Sequence, residues 1–240
     1  MTIPWAVATS ATAVALSTTR SAILRRQPSA MSTAGDKSFS SDAAHLDTIF
    51  KQKKALHEAI QRIVLEAPWF KACKGLCAYI SSSVLREVDT TRILSHILTS
   101  HPEDLQMRKK LFVPRVEDRN RNMRMLNISS TEDLIASSMD ILEPAPLDAD
   151  GNEREDVLFA SEPVDLLILP GNYYDTFLSR YQELAEERNW KQPLKIALSY
   201  SVQIVDEGTI PLSPNDILVD ALVSPSGVIP ISPAALEICH

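Results

Sequence analysis

The 240 residues predict an α/β protein: a single three-layer domain whose largely parallel or mixed central sheet carries helices on both faces. Three observations lead there. The runs "LCAYIS" (76–81), "VDLLILP" (164–170) and "LKIALSY" (194–200) are apolar at nearly every position, the pattern of strands buried on both sides. Stretches with helical spacing of apolar residues alternate with them. No internal repeat is visible, and the hydrophobic fraction of 45% is enough for one core of this size.

Taken in order, the first 35 residues contain Arg20, Arg25 and Arg26 and no acid, with abundant Ala, Ser and Thr. That composition reads as a mitochondrial transit peptide, with a plastid peptide or a plain disordered tail as alternatives. Met31 offers a second start for a cytosolic form. The expected layout is a transit peptide or tail over 1–40, the α/β domain over 41–225 and a C-terminal tail over 226–240.

From Ser41 to Leu65 the spacing predicts a helix with Leu56, Ile60, Ile63 and Val64 on its buried stripe. The strand at 76–81 follows, then a helix over 90–100 with Ile93, Leu94, Ile97 and Leu98 inward. "KLFVPR" (110–115) reads as a strand ended by Pro114, and "MRMLNI" (123–128) as a further strand. Ser130 and Asp133 form a helix-start signal. The segment after it, "ILEPAPLDADGNEREDV", reads as a polar connection. A strand at 164–170 leads into a helix over 174–188 with Phe177, Leu178, Tyr181, Leu184 and Ala185 inward; strands at 194–200 and 217–223 complete the pattern. Residues 226–240 show no periodicity and receive no element.

All the acidity of the formal net charge of −7 lies beyond residue 35, which argues against non-specific nucleic-acid binding. No uncharged apolar run is long enough to span a bilayer. Cys73, Cys77 and Cys239 lack a zinc-type pairing and read as free thiols, and the five histidines lack ligand spacing. Ser199 and Ser201 flank Tyr200 without a nucleophile-elbow pattern, so a hydrolase finds no support.

Chemistry enters through ordered motifs. "YISSSVLREVDT" (79–90), "FVPRV" (112–116), "MRML" (123–126), "ILEP" (141–144), "DLLILPG" (165–171), "YYDTFL" (173–178), "IALSYSVQI" (196–204) and "PNDILVDALV" (214–223) succeed one another along the chain. In that order they resemble the 5-formyltetrahydrofolate cyclo-ligases, or methenyltetrahydrofolate synthetases, and most of all the plant versions. The resemblance implies an ATP- and Mg-dependent ligase, expected to be monomeric. Its substrate would be 5-formyltetrahydrofolate, polyglutamylated or not, closed to the 5,10-methenyl form through a phosphorylated formyl oxygen.

Residue by residue, the resemblance implies that Glu87 binds the pterin, with Ile80 as an apolar folate contact. Tyr173 and Tyr174 would flank folate and nucleotide. Lys53, in "KKALH", would contact ATP, although His57 stands where the family has arginine and cannot offer a guanidinium fork. Asp175 and Asp216 would hold Mg through hard carboxylate oxygens. The residues by themselves leave other roles open: a solvated helix lysine, a loop or cap carboxylate at Glu87, a first-turn charge at Asp175, an Asx turn at Asp216, and helix-start packing for the tyrosines.

One departure matters. Between "PG" and "YYD" the family carries a loop of the Arg-Leu-Gly-Arg-Gly type, and here Asn172 stands alone. A second gap falls after "KKAL". Both junctions are clean, as in skipped exons, and both remove groups that grip phosphate. The expectation is therefore a folded chain with weakened turnover; the alternative is a non-catalytic folate-binding or partner-binding isoform.

Overall fold

The computed structural model of the chain describes residues 38–82, 85–99, 108–118, 122–137, 141–170, 174–206, 209, 213 and 216–238, with side chains from residue 48 onward. Residues 1–37 of the expected transit peptide lie outside these residues, as do Tyr173 and Cys239.

The apolar runs become a seven-stranded sheet in the order β3-β2-β1-β6-β7-β8-β9. Its centre is parallel: β1 (Gly75–Ala78) lies between β2 (Lys110–Val116) and β6 (Leu166–Leu169), followed by β7 (Leu194–Leu198) and β8 (Ala221–Ser224). β3 (Met123–Ile128) and β9 (Gly227–Pro230) close the two edges antiparallel, so the sheet is mixed. Every residue of β1, β6 and β8 is buried, which requires cover on both faces. A small hairpin of β4 (Leu134–Ala136) and β5 (Leu142–Pro144) stands apart from the main sheet.

Among the described residues five helices accompany the strands: α1 (Ser38–Glu66), α2 (Pro68–Ala72), α3 (Thr91–Leu98), α4 (Asp175–Glu187) and α5 (Pro233–Ile238). The buried positions of α3 and α4 are those the spacing predicts. In α1 the inward stripe differs. Ile60 and Val64 are buried, but Leu56 is 40% exposed and the stripe runs instead through Gln61, which is 2% exposed, and the half-buried His57. Positions 57, 60, 61 and 64 share one helical face.

Three further expectations are corrected. Pro114 does not end β2: the register continues to Val116, with Pro114 opposite Met125. The backbone explains why. Glu117 donates to Asn122 of the β3 side, while Lys110 donates to Lys74 on the β1 side, so by strand alternation the donor that Pro114 lacks would face β1. Pairing with β1 has already stopped at Phe112. After Ser130 the capping box forms, yet it produces only a single 3-10 turn over Thr131–Asp133 before β4 begins. Asp133 is the reason. Its Oδ2 accepts from Ser129 and Ser130 N–H while Oδ1 pairs with Arg154 at 2.8 Å in a partly buried site, and that anchors a turn rather than a helix. Finally, residues 227–238 are not a loose tail. β8 and β9 form a hairpin with Ser224 opposite Gly227, whose φ of +132° suits glycine, and α5 follows.

The topology locates a site before any side chain is considered. The chain leaves β1 toward β2 on one side and returns to β6 on the other. In open α/β sheets ligands bind at such a switch point, beyond the carboxyl ends of the strands. Here the segments leaving those ends are 79–90 and 170–174. The amino end of β1 is fastened separately: Asp165, just ahead of β6, accepts from Lys74 N–H at 2.7 Å and Gly75 N–H at 3.2 Å. Nearby, Cys73 donates its S–H to Phe70 O, and Cys77 is buried within β1.

Candidate functional site

Beyond β1 the chain is held by hydrogen bonds at residues 79, 81, 82 and 87–90. Tyr79, 1% exposed, donates its hydroxyl to Val88 O at 2.6 Å, and Thr90 Oγ1 returns a bond to Tyr79 O at 3.0 Å. Ser81 and Thr90 exchange backbone-to-hydroxyl bonds, both at 3.2 Å. Glu87 Oε2 accepts from Ser82 N–H at 2.8 Å; the turn between them places Arg86 at a left-handed φ of 58°. Asp89 Oδ1 collects donors from Ser81 Oγ, Thr91 N–H and Thr91 Oγ1.

Helix α1 holds the same segment from outside. Gln61 Oε1 accepts from Arg92 N–H at 2.9 Å and from Ile93 N–H at 3.3 Å. It thus satisfies the first-turn donors of α3, whose own Thr90 makes no side-chain cap. One turn earlier, His57 Nδ1 accepts from Asp89 N–H at 2.6 Å. Its Nε2 lies 3.1 Å from the Tyr200 hydroxyl, which also reaches Glu87 O at 3.1 Å. The two rings meet edge to face at 5.6 Å.

Lys53 and Glu87 line one cavity of about 790 Å³ together with His57, Gln61, Asp89 and Arg92. Partial burial pushes the Glu87 carboxyl above the usual range, with the Ser82 N–H pulling the other way. Burial also pushes Asp89 upward, but its bonds from Thr91 and Ser81, aided by His57, outweigh that and leave it below the usual range. Two carboxylates two residues apart are therefore driven in opposite directions. Lys53 makes no hydrogen bond or ion pair among the described residues and lines the cavity.

The other expected residues gather elsewhere. Asp175, at the start of α4, and Asp216 line a separate open groove of about 680 Å³ with Arg180 and Lys195. Asp175 Oδ1 accepts from Ile217 N–H at 3.1 Å, which ties the segment before β8 to α4. Asp216 Oδ2 accepts from Ser213 N–H at 2.7 Å, a turn-forming bond within its own segment. The second oxygen of each carboxylate has no hydrogen bond among the described residues. No cluster of three metal-ligating side chains occurs among them. The donor set itself, two carboxylates facing one groove, suits Mg, which needs few protein ligands when phosphates supply others. Tyr174 is buried at the start of α4, Ile80 packs partly buried against the core, and Tyr173 lies outside the described residues.

Sequence reading did not place Gln61 or Tyr200 in this site, and weighed His57 only as the residue that replaces an ATP-contacting arginine. The signal available was the helical face at 57, 60, 61 and 64, where two polar residues sit between apolar ones.

Comparison with known proteins identifies the family. A sequence profile described as the 5-formyltetrahydrofolate cyclo-ligase family matches residues 40–225. The chain is 53% identical to the mitochondrial 5-formyltetrahydrofolate cyclo-ligase of Arabidopsis thaliana, over 90% of this chain and 89% of that protein. It is 27% identical to a probable 5-formyltetrahydrofolate cyclo-ligase of Schizosaccharomyces pombe over 71% of this chain and 84% of that one. Among solved structures, 5,10-methenyltetrahydrofolate synthetase from Aquifex aeolicus superposes with a TM-score of 0.55, at 23% identity, covering 75% of this chain and 84% of that one; this likeness concerns the fold. The profile match and the Arabidopsis relative place the chain in the 5-formyltetrahydrofolate cyclo-ligase family.

Proposed function

We propose that this chain carries the 5-formyltetrahydrofolate cyclo-ligase activity of its family, closing 5-formyltetrahydrofolate to the 5,10-methenyl form at the expense of ATP. The observation that carries the reading is 53% identity to the Arabidopsis enzyme across nine-tenths of the chain, joined to a partly buried carboxylate in a cavity at the sheet's switch point.

In the reaction the formyl oxygen takes the γ-phosphoryl group of ATP. N10 then attacks the activated carbon, and phosphate departs with the former formyl oxygen. Glu87 is suited to accept hydrogen bonds from the N–H groups of the pterin, a role that needs the carboxylate charged and fixed. Its Oε2 already has one backbone partner, which sets the rotamer and leaves Oε1 for the ligand. Lys53 supplies a cation near the same cavity for a phosphate oxygen, and Ile80, Tyr173 and Tyr174 would bound the folate and nucleotide. Asp175 and Asp216 would hold Mg through their free oxygens. When bound, Mg would neutralise charge on the transferring phosphoryl group.

We further propose that turnover in this chain is low. β6 ends at Leu169 and α4 begins at Asp175, so the connection is a handful of residues with no arginine. A helix amino terminus offers only about half a positive charge to a phosphate. Of the two cations in the groove, Lys195 is already 3.3 Å from Asp220. The alignment to the Arabidopsis enzyme runs over 248 positions, more than this chain has residues, which supports stretches there without counterpart here. The short junction is also what favours a second reading, a folate-binding isoform without catalysis.

A mitochondrial location is supported by the acid-free, arginine-bearing first 35 residues and by the similarity to the mitochondrial Arabidopsis relative. The deciding experiment gives purified chain ATP, Mg and 5-formyltetrahydrofolate and follows the near-UV absorbance of the methenyl product. Slow formation is expected. No product, with folate binding intact by calorimetry, would establish the second reading instead.

A further inference from the structure

We propose that His57 is a positioning residue: as a neutral imidazole protonated on Nε2, it holds the Glu87 segment from two directions and thereby sets where the Glu87 carboxylate meets the ligand. This rests on the reading of Glu87 as a folate-binding group.

The hydrogen bonds fix the tautomer. Nδ1 faces Asp89 N–H, a donor that cannot reverse, so Nδ1 must carry the lone pair. In the neutral ring Nε2 then bears the hydrogen and donates to the Tyr200 oxygen. Tyr200, having accepted, sends its own hydrogen to Glu87 O. The chain of donors runs one way, Asp89 N–H to His57 to Tyr200 to Glu87 O, and every member is satisfied. Three separate elements meet in it: α1, the segment after β1 and the segment after β7. The two backbone groups that are caught, at 87 and 89, bracket Val88, which Tyr79 holds from the core side.

Protonation would break this order. A second hydrogen on Nδ1 would point at the Asp89 N–H, donor against donor. The groups that face the imidazole are Lys53 on its own helix, Asp89 and Glu87 on the segment after β1, and Tyr200 after β7, with Glu58 and Arg92 on the surrounding cavity wall. Burial disfavours the imidazolium, and Lys53 adds to that, while Asp89 opposes; the balance lies below the ordinary value near 6.5. Tyr200 is pushed up to about 12, by burial and then by Asp89, so it stays a hydroxyl throughout.

The test is nitrogen-detected NMR of imidazole-labelled full-length chain across pH 5 to 8, alongside calorimetric binding of 5-formyltetrahydrofolate. The expected result is an Nε2–H tautomer for His57, with the Ser82 and Glu87 amides shifting at the same midpoint as the ring. Folate affinity should weaken through that midpoint. Tyr200→Phe should lower affinity about tenfold at neutral pH, the scale of one lost hydrogen bond. His57→Asn, which can still accept from Asp89 but cannot reach Tyr200 or titrate, should remove the His57-linked part of the pH dependence. Glu87→Gln identifies any part due to Glu87 itself. An Nδ1–H tautomer, or amides at 82 and 87 that ignore the titration, would overturn the assignment. If the wild-type chain fails to bind the folate at all, the family reading of the cavity falls, while the amide titration still decides whether His57 positions Glu87.

Discussion

The cavity at Glu87 and the groove at Asp175 lie in the same fold and are built to different standards. Around Glu87, four successive residues from 87 to 90 each have a backbone group caught by a side chain from elsewhere: Tyr200, Tyr79, His57 and Ser81. Around Asp175 and Asp216, one bond to Ile217 and one to Ser213 are the described ties of the two carboxylates. Preorganised donors and acceptors bind a specific ligand without a further cost of ordering. The first region has that property and the second lacks it. The difference teaches that two parts of one fold can be ordered to very different degrees.

The sharpest way to break the comparison is to restore what the groove lacks. Inserting an Arg-Leu-Gly-Arg-Gly-type segment after Gly171 should raise the rate of methenyl formation by about 100-fold or more, the scale of a phosphate-stabilising group. An unchanged rate would mean that the short junction is not what limits the chain. Next in size, Glu87→Ala should weaken folate binding by roughly 10- to 100-fold, because a hydrogen bond to a charged group is lost. Calorimetry measures it, and ATP affinity should hold.

A third change tests the scaffold around the cavity. Gln61→Leu leaves the Arg92 and Ile93 N–H groups without their acceptor and should cost about 1–3 kcal/mol of stability in urea denaturation. Asp216→Ala in the open groove should cost at most about 1 kcal/mol, since its partner N–H is exposed to water. Equal losses would erase the distinction between the two regions.

The smallest effect is one of pH. A carboxyl whose folded pKa is raised contributes stability below its unfolded value and loses it as pH rises through the folded one. Glu87 is such a group. Glu87→Gln, which can still accept from Ser82, should therefore unfold at neutral pH no more easily than the wild type while binding folate worse. Asp89 and His57 behave oppositely, since their folded values are lowered: their contribution is present above the ordinary values and lost as pH falls through the lowered ones. Thermal melts of Glu87→Gln and wild type at pH 5 and pH 7 check the sign.

The sheet was legible because β1, β6 and β7 are apolar at nearly every position, and only a strand covered on both faces tolerates that. The edge strand β9 was not, because half-buried residues between a Pro-Ser turn and a proline give no period. The inward face of α1 was legible only in part. Apolar spacing selects Leu56, which is exposed, beside Ile63, which packs partly buried against the core, whereas the chain also turns His57 and Gln61 inward and uses their polarity on the backbone of another segment. Lys53 and Glu87 became candidates through resemblance to a family, and nothing local distinguishes them from surface residues. Their shared cavity depends on contacts between residues more than thirty positions apart, which no short window contains.

The sulfurs in and beside β1 have a consequence for how the protein is handled. Burial pushes the Cys73 thiol up to about 11, against the pull of Lys109, and drives Cys77 well above the ordinary range, with Asp156 adding to it. Peroxide and alkylating agents attack the anion, which at cellular pH hardly exists at either position. In the native fold these two cysteines should stay unreacted while the same residues in urea modify quickly, so iodoacetamide labelling at 73 and 77 serves as a built-in gauge of how often the sheet opens.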